Sequence, residues 1–176
     1  WVVLALISAV NVGTASIVEK KILHKQHAME FSVVFALFAM ILTAPFWLLA
    51  DPAALSLKAT GLIFLASLLG TLAFLLVAKA LRHIAISITS PFFAFEPLAT
   101  LIVAFILLSE KVTLMQGAGI LVLIIGTYLL ATQEQDNLLE PFKHIFKMKY
   151  IRYVLLAVVL YAFGSSLDKK ILGNPV

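Results

Sequence analysis

Apolar residues run along this chain in blocks of about twenty, and only short polar breaks separate them. Six such blocks cover residues 1–22, 31–50, 59–81, 84–108, 115–132 and 150–172. A helix needs roughly 20 apolar residues to cross a hydrocarbon core about 30 Å thick, so each block predicts one transmembrane helix. The breaks carry polar punctuation: His24-Lys25-Gln26-His27, Asp51-Pro52, Arg82-His83 and Ser109-Glu110-Lys111. Connections this tight make successive helices antiparallel neighbours. The expected fold class is an all-α, polytopic transmembrane helical bundle, with no room for a soluble domain.

The longest polar stretch is 133–149. It sets Leu138, Leu139, Phe142, Ile145 and Phe146 at helical spacing among Lys143, His144, Lys147 and Lys149. Two readings stand. One is a short helix lying in the membrane interface, lysines toward phosphate; the other is a solvated linker.

The pattern also repeats. Glu19-Lys20-Lys21-Ile22-Leu23 closes the first block, and Asp168-Lys169-Lys170-Ile171-Leu172 closes the sixth. The same shift pairs Trp1 with Tyr150, Leu6 with Leu155, Val10 with Val159 and Ser16 with Ser165. The sixth helix thus restarts the first after five helices, and an odd number per repeat inverts the second copy. Inverted repeats are the architecture of many secondary transporters, whose substrate site lies near the midplane between the copies. The expected organisation is a first five-helix repeat over 1–132, a linker over 133–149, and the first helix of a truncated second repeat over 150–176. The chain opens at Trp1 without an initiator Met and stops just beyond an apolar block, so it reads as part of a longer protein.

Composition strengthens the membrane reading. The chain is 62% hydrophobic and 12% charged, with a mean hydropathy of +1.09, whereas soluble domains are about a quarter charged. There is no cysteine for a disulfide or thiolate site. The formal net charge is +4. Its basic residues cluster between apolar blocks, which suits anionic headgroups and the orientation rule, not nucleic acid. Lys20, Lys21, Lys25, Lys79, Arg82, Lys143, Lys147, Lys149 and Arg152 fall on one side; Lys58, Lys111, Lys169 and Lys170 fall on the other. The positive-inside rule puts the richer side in the cytoplasm.

Glu96 stands in the middle of the fourth block. A carboxylate at that depth costs several kcal/mol unless it faces a cavity or a partner, which makes it the leading functional candidate. Thr89, Phe93, Glu96 and Thr100 fall on one helical face, a polar and aromatic stripe suited to line a binding cavity. The alternative is a structural Glu96, protonated or hydrogen-bonded to another helix. Pro91 and Pro97 each remove a backbone donor and are expected to kink this helix. On the first helix Ser8, Val12, Ala15 and Glu19 form a stripe; Ser8, Thr14 and Ser16 read as packing surface. Asn11 needs a partner, either across helices or in the cavity. Ala66, Gly70 and Ala73, like Gly119 and Gly126, are expected to allow close helix packing. His24 and His27 share a face but have no third ligand, so no metal site is expected. No phosphate loop or nucleophile motif is present, so no cofactor and no enzymatic activity are expected.

Around the fourth and fifth helices the sequence resembles the EamA family of the drug/metabolite transporter superfamily. The residues that carry the resemblance are Phe95-Glu96-Pro97-Leu98, Leu107-Leu108-Ser109-Glu110-Lys111-Val112-Thr113, Gln116-Gly117-Ala118-Gly119 and Gly126. Ala80-Leu81-Arg82 and the Lys20 region fit it too. Two departures stand out: Ser109 occupies a position where Gly is commoner, and Asn11-Val12-Gly13 replaces a frequent Trp-Gly pair. The resemblance implies ten helices in two inverted five-helix halves, with both termini in the cytoplasm, opposite to the charge count. It also implies an exporter of metabolites or drugs in the cell (inner or plasma) membrane. The expected function is gradient-driven secondary transport of a small organic solute; a non-transporting subunit that docks a partner and a lipid-carrier flippase are the alternatives. The expected partners are that solute and the lipid bilayer, with a homo-oligomer left open.

Overall fold

The computed structural model describes residues 2–47, 56–109, 113–132 and 149–173. Seven helices follow one another among them: α1 (Val2–Leu23), α2 (Ala28–Trp47), α3 (Leu57–His83), α4 (Ile86–Phe93), α5 (Glu96–Leu108), α6 (Leu114–Thr132) and α7 (Lys149–Gly173). Five segments are long and apolar enough to cross a bilayer: α1, α2, α3, the run Pro91–Leu108, and α7. In α6 the apolar stretch is the shorter Leu114–Gly126. The chain is therefore an all-α, multi-pass membrane protein. The expected interfacial segment 133–149 lies, apart from Lys149, outside the described residues.

Local chemistry accounts for the helix starts. Ser56 caps α3, its hydroxyl accepting from the Ala59 N–H at 3.1 Å. A capping box opens α6: the Thr113 N–H donates to Gln116 Oε1 at 3.0 Å, and the Gln116 N–H donates to Thr113 Oγ1 at 3.3 Å. At its other end α5 stops on Ser109, whose φ of 54° and ψ of 31° are left-handed.

The fourth block is interrupted at Ala94 and Phe95, a two-residue turn that divides it into α4 and α5. Pro97 has no N–H to give the Phe93 carbonyl. The chain turns instead through Ala94 and Phe95, with the Phe95 N–H donating to Phe92 O at 3.1 Å, and restarts as the Ala99 N–H reaches Phe95 O at 2.9 Å. Pro97 then occupies the first turn of α5, where a missing donor costs little. Pro97, expected to kink this helix, lies in the first turn after the interruption, and Pro91 lies inside α4.

The packed centre is the pair α3 and α7. Ala59, Ala66, Ala73 and Ala80 recur every seven residues on α3, and all are buried. Facing elements contribute the buried Ile151, Val154, Ala157 and Ala162. At one end His83 stacks on Tyr150, ring centroids 4.1 Å apart. Further along, a Cβ added at Gly164 would sit 3.7 Å from Ala66 O. The two helices are therefore antiparallel. Small side chains bring backbones together where apolar burial alone offers no drive, because lipid is equally apolar. At Gly70, Gly119 and Gly126, where close packing was expected, an added Cβ meets nothing within 4 Å among the described residues. The alanine seam and Gly164 make the close approach. On the other flank Phe31, Phe35 and Phe74 stack in a cluster that joins α2 to α3.

The C-terminal end of α1 is fixed by the buried Leu23 and by Lys20. The Lys20 ammonium donates to Ile84 O at 2.7 Å and also to Leu81 O. Both carbonyls lie where α3 ends and have lost their helical donors, so a cation there answers both geometry and dipole. The ends of α1 and α3 thus meet, α1 runs parallel to α3, and it points opposite to α7.

Candidate functional site

Glu96 is the first residue of α5, placed there by the break at Ala94 and Phe95. The unpaired N–H groups of a helix start carry a partial positive charge, which favours a carboxylate in the first turn by about 0.3–1 kcal/mol. A broken helix thus supplies inside the membrane what water would supply outside it.

Two cavities meet at this break. The larger, about 660 Å³, lies between α5, α6 and α7; Glu96, Phe93, Thr100, Gln116, Ser166 and Lys169 line it. The smaller, about 440 Å³, lies between α1, α3, α4 and α7; Glu19, Glu96, Ser16, Thr89, Phe93 and Tyr161 line it. Phe93 and Glu96 belong to both.

The expected stripe is accordingly divided. Thr89 lines the smaller cavity and Thr100 the larger, while Phe93 and Glu96 line both. Thr89 is buried and its hydroxyl donates to Ile86 O at 3.0 Å. Asn11 lines neither cavity. It lies exposed on α1, about 100° round the helix from Val12, which does face the smaller one. Among the described residues it makes neither of the contacts expected of it.

Three polar residues join the site that sequence reasoning left out of it. Ser16 donates to Val12 O at 2.9 Å and presents its side chain to the smaller cavity. Glu19, read first as part of a repeated end motif, turns its carboxyl inward; its Oε1 is buried with no hydrogen-bond partner among the described residues. Tyr161, on α7, completes the wall beside both carboxyl groups. For Glu19 helical spacing from Val12 and Ser16 was visible, but which way that face points follows only from the Lys20 contact with the end of α3. The signal for Tyr161 was absent, since only the fold brings α7 to α1. Among the described residues no group of three or more His, Cys, Asp or Glu side chains is placed to hold a metal.

The arrangement can hold a solute with a cationic or hydrogen-donating group against two carboxyls, with aromatic walls for its apolar part. Residues 1–132 match the model of the EamA-like transporter family. No curated protein and no solved structure matches the chain.

Proposed function

This chain belongs to the EamA-like transporter family, a family of membrane transporters, and on that premise we propose that it serves gradient-driven export of a small organic solute. The solute occupies the cavities that meet at Glu96, and Glu96 carries a proton or pairs with a cationic group of the solute. The observation that carries this reading is the helix break, which sets a carboxyl on a helix start half-way through the fourth span and opens it to two cavities. Glu19 and Tyr161 shape the same site from opposite sides.

The opposed directions of α1 and α7, which share the Glu/Asp-Lys-Lys-Ile-Leu ending, support two inverted halves with the site between them. In this reading 1–132 is the first half, and the protein resides in the cell (inner or plasma) membrane. The test is flux through proteoliposomes containing the full protein. Glu96→Gln, which keeps shape and removes the charge, is expected to abolish the dependence of transport on the pH gradient while the protein still folds. Unchanged pH-dependent flux in that variant removes Glu96 from the mechanism.

A further inference from the structure

A third cavity, about 510 Å³, lies where α2 begins, α3 ends and α7 begins; Lys79, Arg82, His83, His27, Lys149 and Glu30 line it. It shares no lining residue with the two cavities at Glu96. Three basic side chains and two imidazoles line it, among the described residues, with a single carboxylate. Among the described residues Lys79, Arg82 and Lys149 form no ion pair with any carboxylate, Glu30 included.

The basic groups are held in place by the protein's own contacts. Arg82 meets His27 Nδ1, and His83 Nδ1 lies 2.8 Å from Lys79 O. The His83 ring stacks on Tyr150 at an interplanar angle of 9°; Tyr150 meets Tyr153 edge-on at 5.9 Å; and Lys149 Nζ sits 5.8 Å from the Tyr153 ring centroid. Like charges gathered in one concavity repel unless an anion joins them. A planar guanidinium flanked by ammonium groups suits phosphate oxygens in particular.

We propose that this cavity binds a phosphate-bearing anion, either the headgroup of an anionic phospholipid or a free phosphate group. The surroundings fit a membrane ligand: Tyr150 and Tyr153, a residue type that favours the headgroup level, line the cavity, and Met29 in its wall and Val33 one helical turn on are 64% and 58% exposed, an apolar track for acyl chains. Basic pockets between transmembrane helices bind anionic headgroups in this way.

The test uses the purified full protein in a neutral detergent, with native mass spectrometry counting retained lipid. Phosphatidylglycerol is expected to be retained in preference to phosphatidylcholine. Lys79→Gln, Arg82→Gln and Lys149→Gln together are expected to erase that preference, at about fivefold per charge removed. The pair Lys58→Gln and Lys170→Gln, at the other ends of α3 and α7, should leave it unchanged. If the triple variant does not fold, Lys149→Gln alone, at an exposed position, should still lower the preference about fivefold. A parallel arm adds millimolar inorganic phosphate without lipid: thermal stabilisation there, with no preference between the lipids, assigns the site to free phosphate. Equal retention of both lipids with no phosphate effect overturns the proposal, as does an equal loss in the control pair.

Discussion

At Ser109 the backbone takes a left-handed conformation that costs an L-residue roughly 1–2 kcal/mol, while glycine adopts it freely. The glycine expected at this position from the resemblance would adopt that backbone without strain; here a serine bears it. Glycine also loses more freedom on folding, which offsets about 0.5–1 kcal/mol. Ser109→Gly is therefore expected to stabilise the protein by up to about 1 kcal/mol, and Ser109→Val to destabilise it, as thermal unfolding in detergent will show. Glu96 was legible from sequence because charge inside an apolar block is rare and conspicuous. Glu19 was not, because it lies at the end of its block beside two lysines, where an acid reads as headgroup-facing. Only the Lys20 tether to the end of α3 reveals that its neighbour must face inward.

Between elements, the seam of α3 and α7 tolerates little extra volume. A Cβ at Gly164 would make ordinary contact with Ala66 O at 3.7 Å, so Gly164→Ala should be accepted. Gly164→Leu has nowhere to place its branches and is expected to cost about 1–3 kcal/mol. Gly119→Leu, where a Cβ meets open space, should cost far less. Comparing the melting temperatures of the three variants checks this ordering, and equal effects at 164 and 119 would contradict it. The helices themselves were readable within a few residues from apolar length alone. Which faces pack was not, because in lipid every face is apolar and only small residues mark a seam. The alanines at 59, 66, 73 and 80 give that mark by their sevenfold spacing; isolated glycines do not. The break in the fourth span was read as a kink, since two prolines six residues apart announce a disturbance without deciding between bending and restarting.

For the molecule as a whole, the break raises a question of path: α4 and α5 either cross the membrane once between them or return to the side they left. His83, Lys20 and Lys149 mark one end of the bundle through their mutual contacts with α3 and α7. Passage across puts Ser109 and Lys58 together at the opposite end. The chain has no native cysteine, so single cysteines report without background. Gln26→Cys is expected to react with a membrane-impermeant thiol reagent from one side, and Lys58→Cys and Ser109→Cys from the other. Labelling of Ser109→Cys from the side of Gln26→Cys would make α4 and α5 a re-entrant hairpin and undo the cavity assignment. The same experiment in cells fixes orientation, which the excess of Lys and Arg on the Gln26 side predicts to be cytoplasmic.

The tether at Lys20 has a mechanical meaning. Within this chain α1 is a rod of 22 residues, about 33 Å long, gripped near one tip, with its outward residues from Val2 to Val18 largely uncovered. A rod so held moves as a lever about that pivot. A swing of about 10° would shift its free tip by roughly 5 Å, while Glu19, one residue from the fulcrum, would stay almost still. The carboxyl that faces the cavity is thus carried by the quietest point of the helix with the greatest reach.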